Sequence, residues 1–138
     1  MIFEQRIFIK AHPESIFSVY ANVGNWSQWD KEIKYANLKG QFKVGTEGVL
    51  KPKSGPKSKI TIADIVQNKS FTVTSKLPLC RLSFEHELHQ KKGGTEVIHR
   101  VVFSGATKFI FGMLVGSQIN KGLPSTLRGL KKKIESGV

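Results

Sequence analysis

Hydrophobic and polar residues alternate along most of residues 1–105, and the period then changes to that of a helix. Residues 106–136 predict one long helix, with one side that must be buried against another surface. That side carries Phe109, Met113, Gly116, Ile119, Leu123, Leu127, Leu130 and Ile134. Ile110, Phe111 and Leu114 make the opposite side of the first half apolar as well. Glycine and proline at residues 122–124 weaken a helix, so we expect a kink there.

The part of the chain before this helix predicts strands, with two short helices after the first strand. The first strand covers residues 2–10, a helix begins near Pro13, and residues 25–30 form a second short helix or a turn. Later strands are predicted at residues 33–38, 46–52, 59–67, 70–77, 81–90 and 95–105. Short turns connect them, so consecutive strands should be antiparallel neighbours. We therefore predict an α+β fold in which a curved antiparallel sheet of about six to seven strands wraps around the long C-terminal helix.

Composition narrows the class of protein. The length of 138 residues predicts a single domain over residues 1–138, and 39% hydrophobic with 23% charged residues excludes disorder. The lone Cys80 excludes an internal disulfide, and residues 1–10 lack the pattern of a leader, so we expect a cytoplasmic protein. Its apolar runs fall far short of the roughly 20 residues that span a bilayer. The net charge of +12 predicts attraction to anions.

Several short motifs carry a family resemblance. They are the Pro-Glu-Ser-Ile-Phe helix start at Pro13, Trp26-x-x-Trp29-Asp30, Leu38-x-Gly40-x-Phe42-x-x-Gly45-Thr46 and the Gly93-Gly94-Thr95 turn before a terminal amphipathic helix. With the order of elements, they make essentially the whole chain similar to the START/Bet v1-like (SRPBCC) superfamily, in its bacterial polyketide cyclase/dehydrase-like branch. The resemblance implies a helix-grip fold that encloses an apolar cavity for lipids, sterols, polyketides or hormones. It does not imply catalysis, because many relatives only bind.

Two histidines are predicted on the apolar inner faces of neighbouring strands. His86 alternates with apolar residues on the strand at residues 81–90, and His99 does so on the strand at residues 95–105. His86 faces His99 if the hairpin closes through residues 91–94, whereas His99 lies opposite Leu88 if residues 93–94 alone form the loop. The pair could anchor a polar group of a ligand or act as acid and base. The alternative is two hydrogen-bonded core histidines, which the sequence favours over catalysis.

The inner faces of these strands, one strand before them and the start of the long helix together predict the ligand contacts. The predicted ligand-binding residues are Phe71, Val73, Leu82, Phe84, His86, Val97, His99, Val101, Phe103, Phe109 and Met113. Two histidines are fewer ligands than the three or four of a zinc site, so neither a metal nor a cofactor is expected. Trp26 and Trp29 are interpreted as core residues, and the sequence does not fix the direction of the Tyr20 hydroxyl.

Two loops correspond to the gate and latch that the resemblance implies at the cavity mouth. The predicted entrance residues are Lys51, Ser54, Gly55, Pro56, Leu77, Pro78 and Leu79. Lysines around the first loop would favour a ligand with an anionic head and an apolar tail. The alternative is a solvated sheet edge that discourages aggregation, which the sequence slightly favours.

Three functions follow from these observations. The first is a carrier that binds a small hydrophobic or amphipathic ligand, such as a lipid, an isoprenoid or a polyketide. The second is a cyclase or dehydrase with His86 and His99 as acid and base. The third is a basic protein that uses Lys121, Arg128 and Lys132 to contact RNA, a ribosome or an anionic membrane. Aromatic residues do not alternate with these charges, so nucleic acid is the least expected partner, and a monomer and a homodimer both stay open.

Overall fold

The computed structural model describes residues 1–137, in which seven strands precede a long helix. The strands are β1 (Ile2–Ile9), β2 (Ile33–Leu38), β3 (Glu47–Pro52), β4 (Ser58–Val66), β5 (Ser70–Leu77), β6 (Cys80–Lys91) and β7 (Gly94–Ser104). The helices are α1 (Pro13–Ala21), a 3₁₀ turn (Val23–Asn25), α2 (Trp26–Trp29), α3 (Lys108–Phe111), a π-helical turn (Gly112–Gly116) and α4 (Ser117–Glu135). The last three run on without interruption and are called the C-terminal helix, residues 108–135.

All seven strands form one antiparallel sheet in the order β1-β7-β6-β5-β4-β3-β2. Irregular pairing between Ile62 and Asp64 in β4, and near the start of β2, adds the local twist that curls the sheet. Gln90 pairs with Thr95, so the β6–β7 hairpin uses the longer of the two predicted turns. The predicted α+β architecture, a curled sheet around a C-terminal helix with short helices after β1, is confirmed.

The second part of the C-terminal helix has the predicted orientation. Leu123, Leu127 and Leu130 are buried, and the helix passes so close to α2 that a Cβ on Gly129 would collide with the carbonyl oxygen of Trp29. Glycine is therefore needed here for the close approach of two backbones. This contact fixes the end of the helix against the short helices that follow β1.

The first part of the C-terminal helix differs from the prediction. Phe109 and Met113, predicted to face inward, are 61% and 70% exposed, whereas Phe111, Gly112 and Val115 face the sheet. A π-helical turn holds about one more residue than an α-helical turn, so it rotates the preceding residues around the axis. The irregularity also lies at Gly112–Gly116 and not at residues 122–124, because the tightly packed α4 continues through Pro124.

Two hydrophobic clusters lie between the sheet and the C-terminal helix. The larger one contains 16 buried residues from the sheet, the short helices and the end of α4, with Leu127 and Leu130 among them. The smaller one contains Cys80, Leu82, Val101, Phe103 and Leu123, with partly buried residues from the start of the chain and of the helix around it. Phe84 packs against both. None of the helices in residues 1–137 is both long enough and apolar enough to cross a membrane.

Candidate functional site

The candidate site is a cluster of three polar rings on the inner face of the sheet, formed by Tyr20, His86 and His99. His86 on β6 lies directly opposite His99 on β7, with ring centroids 4.7 Å apart. Tyr20 comes from α1, and its hydroxyl oxygen lies 2.7 Å from Nε2 of His99. The sequence predicted the pairing of the two histidines but not the contribution of Tyr20.

Neighbouring groups fix the orientation of these rings. The indole N–H of Trp26 donates to the carbonyl oxygen of Tyr20 over 2.9 Å, which ties α1 to α2. Phe71 stacks on His86 with ring centroids 3.9 Å apart and planes 2° from parallel. Nδ1 of His86 lies 3.2 Å from the Phe71 carbonyl oxygen. A carbonyl only accepts hydrogen bonds, so Nδ1 carries the proton and Nε2 is left as an acceptor.

All three rings are neutral near neutral pH. Desolvation lowers the pKa of His86 to about 4, in spite of its contacts with backbone carbonyl groups, because burial disfavours the charged imidazolium. Burial likewise holds the pKa of His99 well below its usual value, and the neighbouring His86 lowers it further. Burial raises the pKa of the Tyr20 hydroxyl well above its usual value. The cluster can therefore exchange hydrogen bonds with a ligand but offers it no charge.

The inner face beside this cluster is not equally buried on the two strands. His86 and Phe84 project inward from β6, yet both keep partial exposure, whereas Val97, His99 and Val101 on β7 are buried. Of the two strands, β6 is therefore the one whose inward side chains are partly accessible.

The sequence predicts a large enclosed cavity. Neither of the two best-defined cavities within residues 1–137 is of that kind. The larger, about 580 Å³, opens on the surface between the start of α1, the β4–β5 turn and the β6–β7 hairpin. The other, about 130 Å³, lies beside Trp29. The aromatic rings of Phe17, Tyr20, Phe42 and Phe71 contact one another where the cavity was expected. These bulky side chains occupy the part of the interior around Phe71, so a large ligand there needs them, or the helix above, to move.

Nine of the eleven predicted ligand-binding residues lie on the inner face of the sheet. They are Phe71, Val73, Leu82, Phe84, His86, Val97, His99, Val101 and Phe103. The prediction was wrong for Phe109 and Met113, which are exposed on the outer side of the C-terminal helix. Contact of the nine with a ligand stays a prediction.

The predicted entrance residues lie in two exposed loops and at the ends of the strands before them, Lys51 in β3 and Leu77 in β5. The ammonium group of Lys51 donates to the carbonyl oxygens of Pro52 and Gly55, at 2.9 and 2.6 Å, so its own loop engages it. Ser54, Gly55 and Pro56 are exposed, and so is Leu79 in the other loop. The role of either loop as a gate stays a prediction.

Sequence reasoning missed a buried carboxylate beside the C-terminal helix. Asp30 follows α2 and is 5% exposed. It accepts hydrogen bonds from the backbone N–H of Glu32 at 3.0 Å and from the Thr126 hydroxyl at 2.8 Å. Burial raises the pKa of Asp30 in spite of these two bonds. Its position directly after Trp26-x-x-Trp29 was the only available signal, and it suggests a residue that attaches α4 to α2.

The outer face of the sheet is polar, as predicted, and holds an ion-pair network. Arg100 contacts Glu4 at 2.7 Å, Glu85 at 3.0 Å and also Glu87. These carboxylates raise the pKa of the guanidinium. No group of three or more His, Cys, Asp or Glu side chains within residues 1–137 is arranged to hold a metal ion.

The fold defines the class of protein, a helix-grip protein of the START/Bet v1 type. Within that class the chain belongs to the family described as polyketide cyclase/dehydrase and lipid transport, which it matches over residues 1–135. Among curated proteins, none has significant sequence similarity to this chain.

Solved structures with the same fold have little sequence identity to the chain. TTHA0849 from Thermus thermophilus is 14% identical with a TM-score of 0.75, and a START superfamily protein from Mycobacterium smegmatis is 12% identical with a TM-score of 0.77, each alignment covering 99% of both chains. The di-domain ARO/CYC StfQ from the steffimycin biosynthetic pathway is 10% identical with a TM-score of 0.78. That alignment covers 99% of this chain and 52% of StfQ. At these identities the likeness shows the fold alone.

Proposed function

We propose that the protein binds a small, largely apolar ligand that carries a hydroxyl group, on the inner face of the sheet beneath the first part of the C-terminal helix. The observation that carries this proposal is the neutral, partly accessible His86 on a largely apolar inner face. Its Nε2 is left as an acceptor when Nδ1 carries the proton, so a ligand O–H can donate to it. Membership of a family described in part by lipid transport supports the same class of ligand.

The ligand head group proposed here differs from the anionic head considered for the lysine-rich loop. A neutral nitrogen lone pair repels a carboxylate, which can only accept hydrogen bonds. The ammonium group of Lys51 is engaged by its own loop. An alcohol or phenol therefore fits the interior better than a fatty acid does.

In this proposal, the ligand enters where the fewest buried side chains close the interior. The smaller hydrophobic cluster has five buried residues, and a π-helical turn lies above it. Displacing a few partly buried side chains there costs less than opening the larger cluster.

The experiment compares two probes that differ only in the hydrogen-bond donor, farnesol and farnesyl methyl ether. Titration calorimetry measures both with the wild-type protein, with His86→Phe and with His89→Phe. Phenylalanine keeps the stacking on Phe71 but removes the acceptor. His86→Phe should therefore bind farnesol about tenfold less tightly than the wild-type protein does, whereas its affinity for the ether should not change. His89 is exposed on the outer face of the same strand, so His89→Phe is the matched control.

Two results would contradict this function. The first is that fatty acids, isoprenoids and aromatic polyketides all fail to bind at micromolar concentration. The second is that His86→Phe binds farnesol as tightly as the wild-type protein does.

A second candidate function is cyclisation of a polyketide-like substrate, which the proximity of Tyr20, His99 and His86 favours. In this case His86 would remove a proton and Tyr20 would donate one. The low pKa of His86 makes it a weak base, so the geometry supports binding more strongly than catalysis. Turnover that persists in the His86→Gln/His99→Gln double variant would exclude the catalytic assignment.

A further inference from the structure

Five large apolar side chains form an exposed surface that neither the fold nor the proposed ligand site uses. Phe109, Ile110, Met113 and Leu114 are 58–70% exposed on the outer side of the C-terminal helix, and Leu79 in the β5–β6 turn is 74% exposed. We call these five residues the docking surface. Apolar side chains gathered in this way are typical of contact sites, whereas single exposed ones are ordinary.

The turn that carries Leu79 is tied to the start of the helix. The backbone N–H of Thr107 donates to the Leu79 carbonyl oxygen over 3.2 Å, and its hydroxyl donates to the Pro78 carbonyl oxygen over 2.6 Å. Gly105, at φ +108°, permits this approach, because a Cβ there would lie 2.6 Å from the Leu79 carbonyl oxygen. Leu79 and the apolar side of the helix are therefore held next to each other.

Leu79 itself adopts a backbone conformation that is unfavourable for a leucine. Its φ is 55°, in the left-handed region, where glycine and asparagine are common and a leucine is strained by about 1 kcal/mol. Its side chain is exposed and adds little to the core. An unfavourable backbone with an exposed apolar side chain is better explained by a contact outside the chain than by folding.

The charges around the docking surface are all of one sign along the helix. No Asp or Glu occurs between Glu96 and Glu135. Lys121, Arg128 and Lys132 are exposed on the same outward side, and the ammonium group of Lys108 lies 5.1 Å from the centroid of the Phe109 ring. The outward side of the C-terminal helix is thus apolar in its first part and cationic in its second.

We propose that the docking surface binds an anionic lipid bilayer, with the apolar side chains at the headgroup boundary and the cations of α4 on the lipid phosphates. Apolar insertion combined with lysine and arginine is the chemistry of interfacial helices. A second copy of the chain is the less suitable occupant, because a symmetric contact would bring the same cations together without opposing carboxylates. This proposal goes beyond ligand binding and does not require it.

The test is sedimentation of the protein with vesicles of phosphatidylcholine alone and of phosphatidylcholine with 30% phosphatidylglycerol. The wild-type protein should bind the anionic vesicles at least tenfold more tightly, and the difference should diminish in 0.5 M salt. Met113→Gln/Leu114→Gln should lose at least tenfold in binding, because two apolar side chains no longer enter the lipid. Lys121→Gln/Arg128→Gln should lose about fivefold for each charge, and its salt dependence should weaken.

The matched control is Val44→Gln/Val66→Gln, which removes two exposed apolar side chains from outside the docking surface. It should bind as the wild type does, and circular dichroism should show that all the variants are folded. Three results would overturn the proposal. The first is that the wild-type protein does not bind anionic vesicles at low salt, and the second is that the control loses as much binding as Met113→Gln/Leu114→Gln does. The third is that ultracentrifugation shows a dimer of the wild-type protein that Met113→Gln/Leu114→Gln abolishes.

Discussion

The two parts of the C-terminal helix are in contact with the same sheet but are fixed to it very differently. Residues 117–135 bury leucines, touch the Trp29 carbonyl through Gly129 and hydrogen-bond to Asp30 through Thr126. Residues 108–116 have no large side chain that is fully buried, contain a π-helical turn and expose four apolar residues. One part of the helix therefore closes the core, and the other packs against the smaller hydrophobic cluster through Phe111 and Val115.

This difference indicates how a protein of this fold can be stable and still admit a ligand. Local stability follows buried contacts, so the second part of the helix carries the fold while the first part can open separately. The two proposals rely on the same division, since the part that can open is also the part that exposes the docking surface. Matched substitutions in the two parts should therefore differ in their effect on stability.

The largest effect is expected from a methyl group at Gly129. A Cβ there meets the backbone carbonyl of Trp29, and a backbone atom cannot rotate away as a side chain can. Gly129→Ala should lower the free energy of unfolding by about 2 to 3 kcal/mol, measured by urea denaturation.

Gly112→Ala is the matched change in the first part of the helix. The added Cβ meets the side chain of Met1, which is flexible, and alanine also favours the helix. The expected change is within about 1 kcal/mol. Equal losses in the two variants would show that the two parts of the helix are fixed equally well.

The second prediction concerns pH and tests whether the interior around His86 is dry. Its pKa is about 4 in the folded protein and near 6.5 in the unfolded chain, so the unfolded chain binds more protons between these values. Stability is therefore complete above about pH 6.5 and falls as the pH decreases. The loss from His86 between pH 7.5 and 5 should be about 2 kcal/mol.

The contribution of His86 is measured by urea denaturation at each pH, as the difference in the free energy of unfolding between the wild-type protein and His86→Phe. His99 acts in the same direction, because its pKa is also lowered, whereas the raised pKa of Asp30 acts in the opposite direction. Asp30 is unchanged in the variant and cancels in the difference, whereas the difference includes the part of the His99 shift that His86 causes. An identical pH dependence in the two proteins would mean that His86 is hydrated.

The third prediction concerns the attachment of α4 to α2. Thr126→Val keeps the shape of the side chain but removes the hydroxyl that donates to the buried carboxylate of Asp30. The expected loss is about 1.5 kcal/mol, because the carboxylate loses a buried hydrogen bond. Thr107→Val removes an exposed hydrogen bond to Pro78 and should cost about 0.5 kcal/mol. A larger loss for Thr107→Val would place the stronger attachment in the first part of the helix.

The sequence predicted those features that depend on a regular period. Alternation located all seven strands within one or two residues and placed His86 and His99 on the inner face, and the Gln90–Thr95 pair then brought them opposite each other. In α4 the helical period predicted the burial of Leu127 and Leu130. In each case the side of the element follows from neighbours in the chain.

The errors arose where the period changes or where an interaction joins distant residues. The π-helical turn shifts the phase of the helix, so extrapolation placed Phe109 and Met113 on the wrong side. The Tyr20–His99 and Asp30–Thr126 hydrogen bonds join residues 79 and 96 positions apart, which no local pattern reports. The volume of the interior depends on the packing of many aromatic rings and not on any single strand.

The smallest expected effect comes from Leu79→Asn, which relates the docking surface to the fold. Asparagine tolerates the left-handed conformation of Leu79 better than leucine does, so the free energy of unfolding should rise by about 0.5 kcal/mol. The same change removes an exposed apolar side chain, so binding to anionic vesicles should decrease. A variant that is more stable but binds vesicles less tightly would show that Leu79 serves a contact outside the chain. A loss of stability would instead assign the side chain to the packing of the first part of the helix.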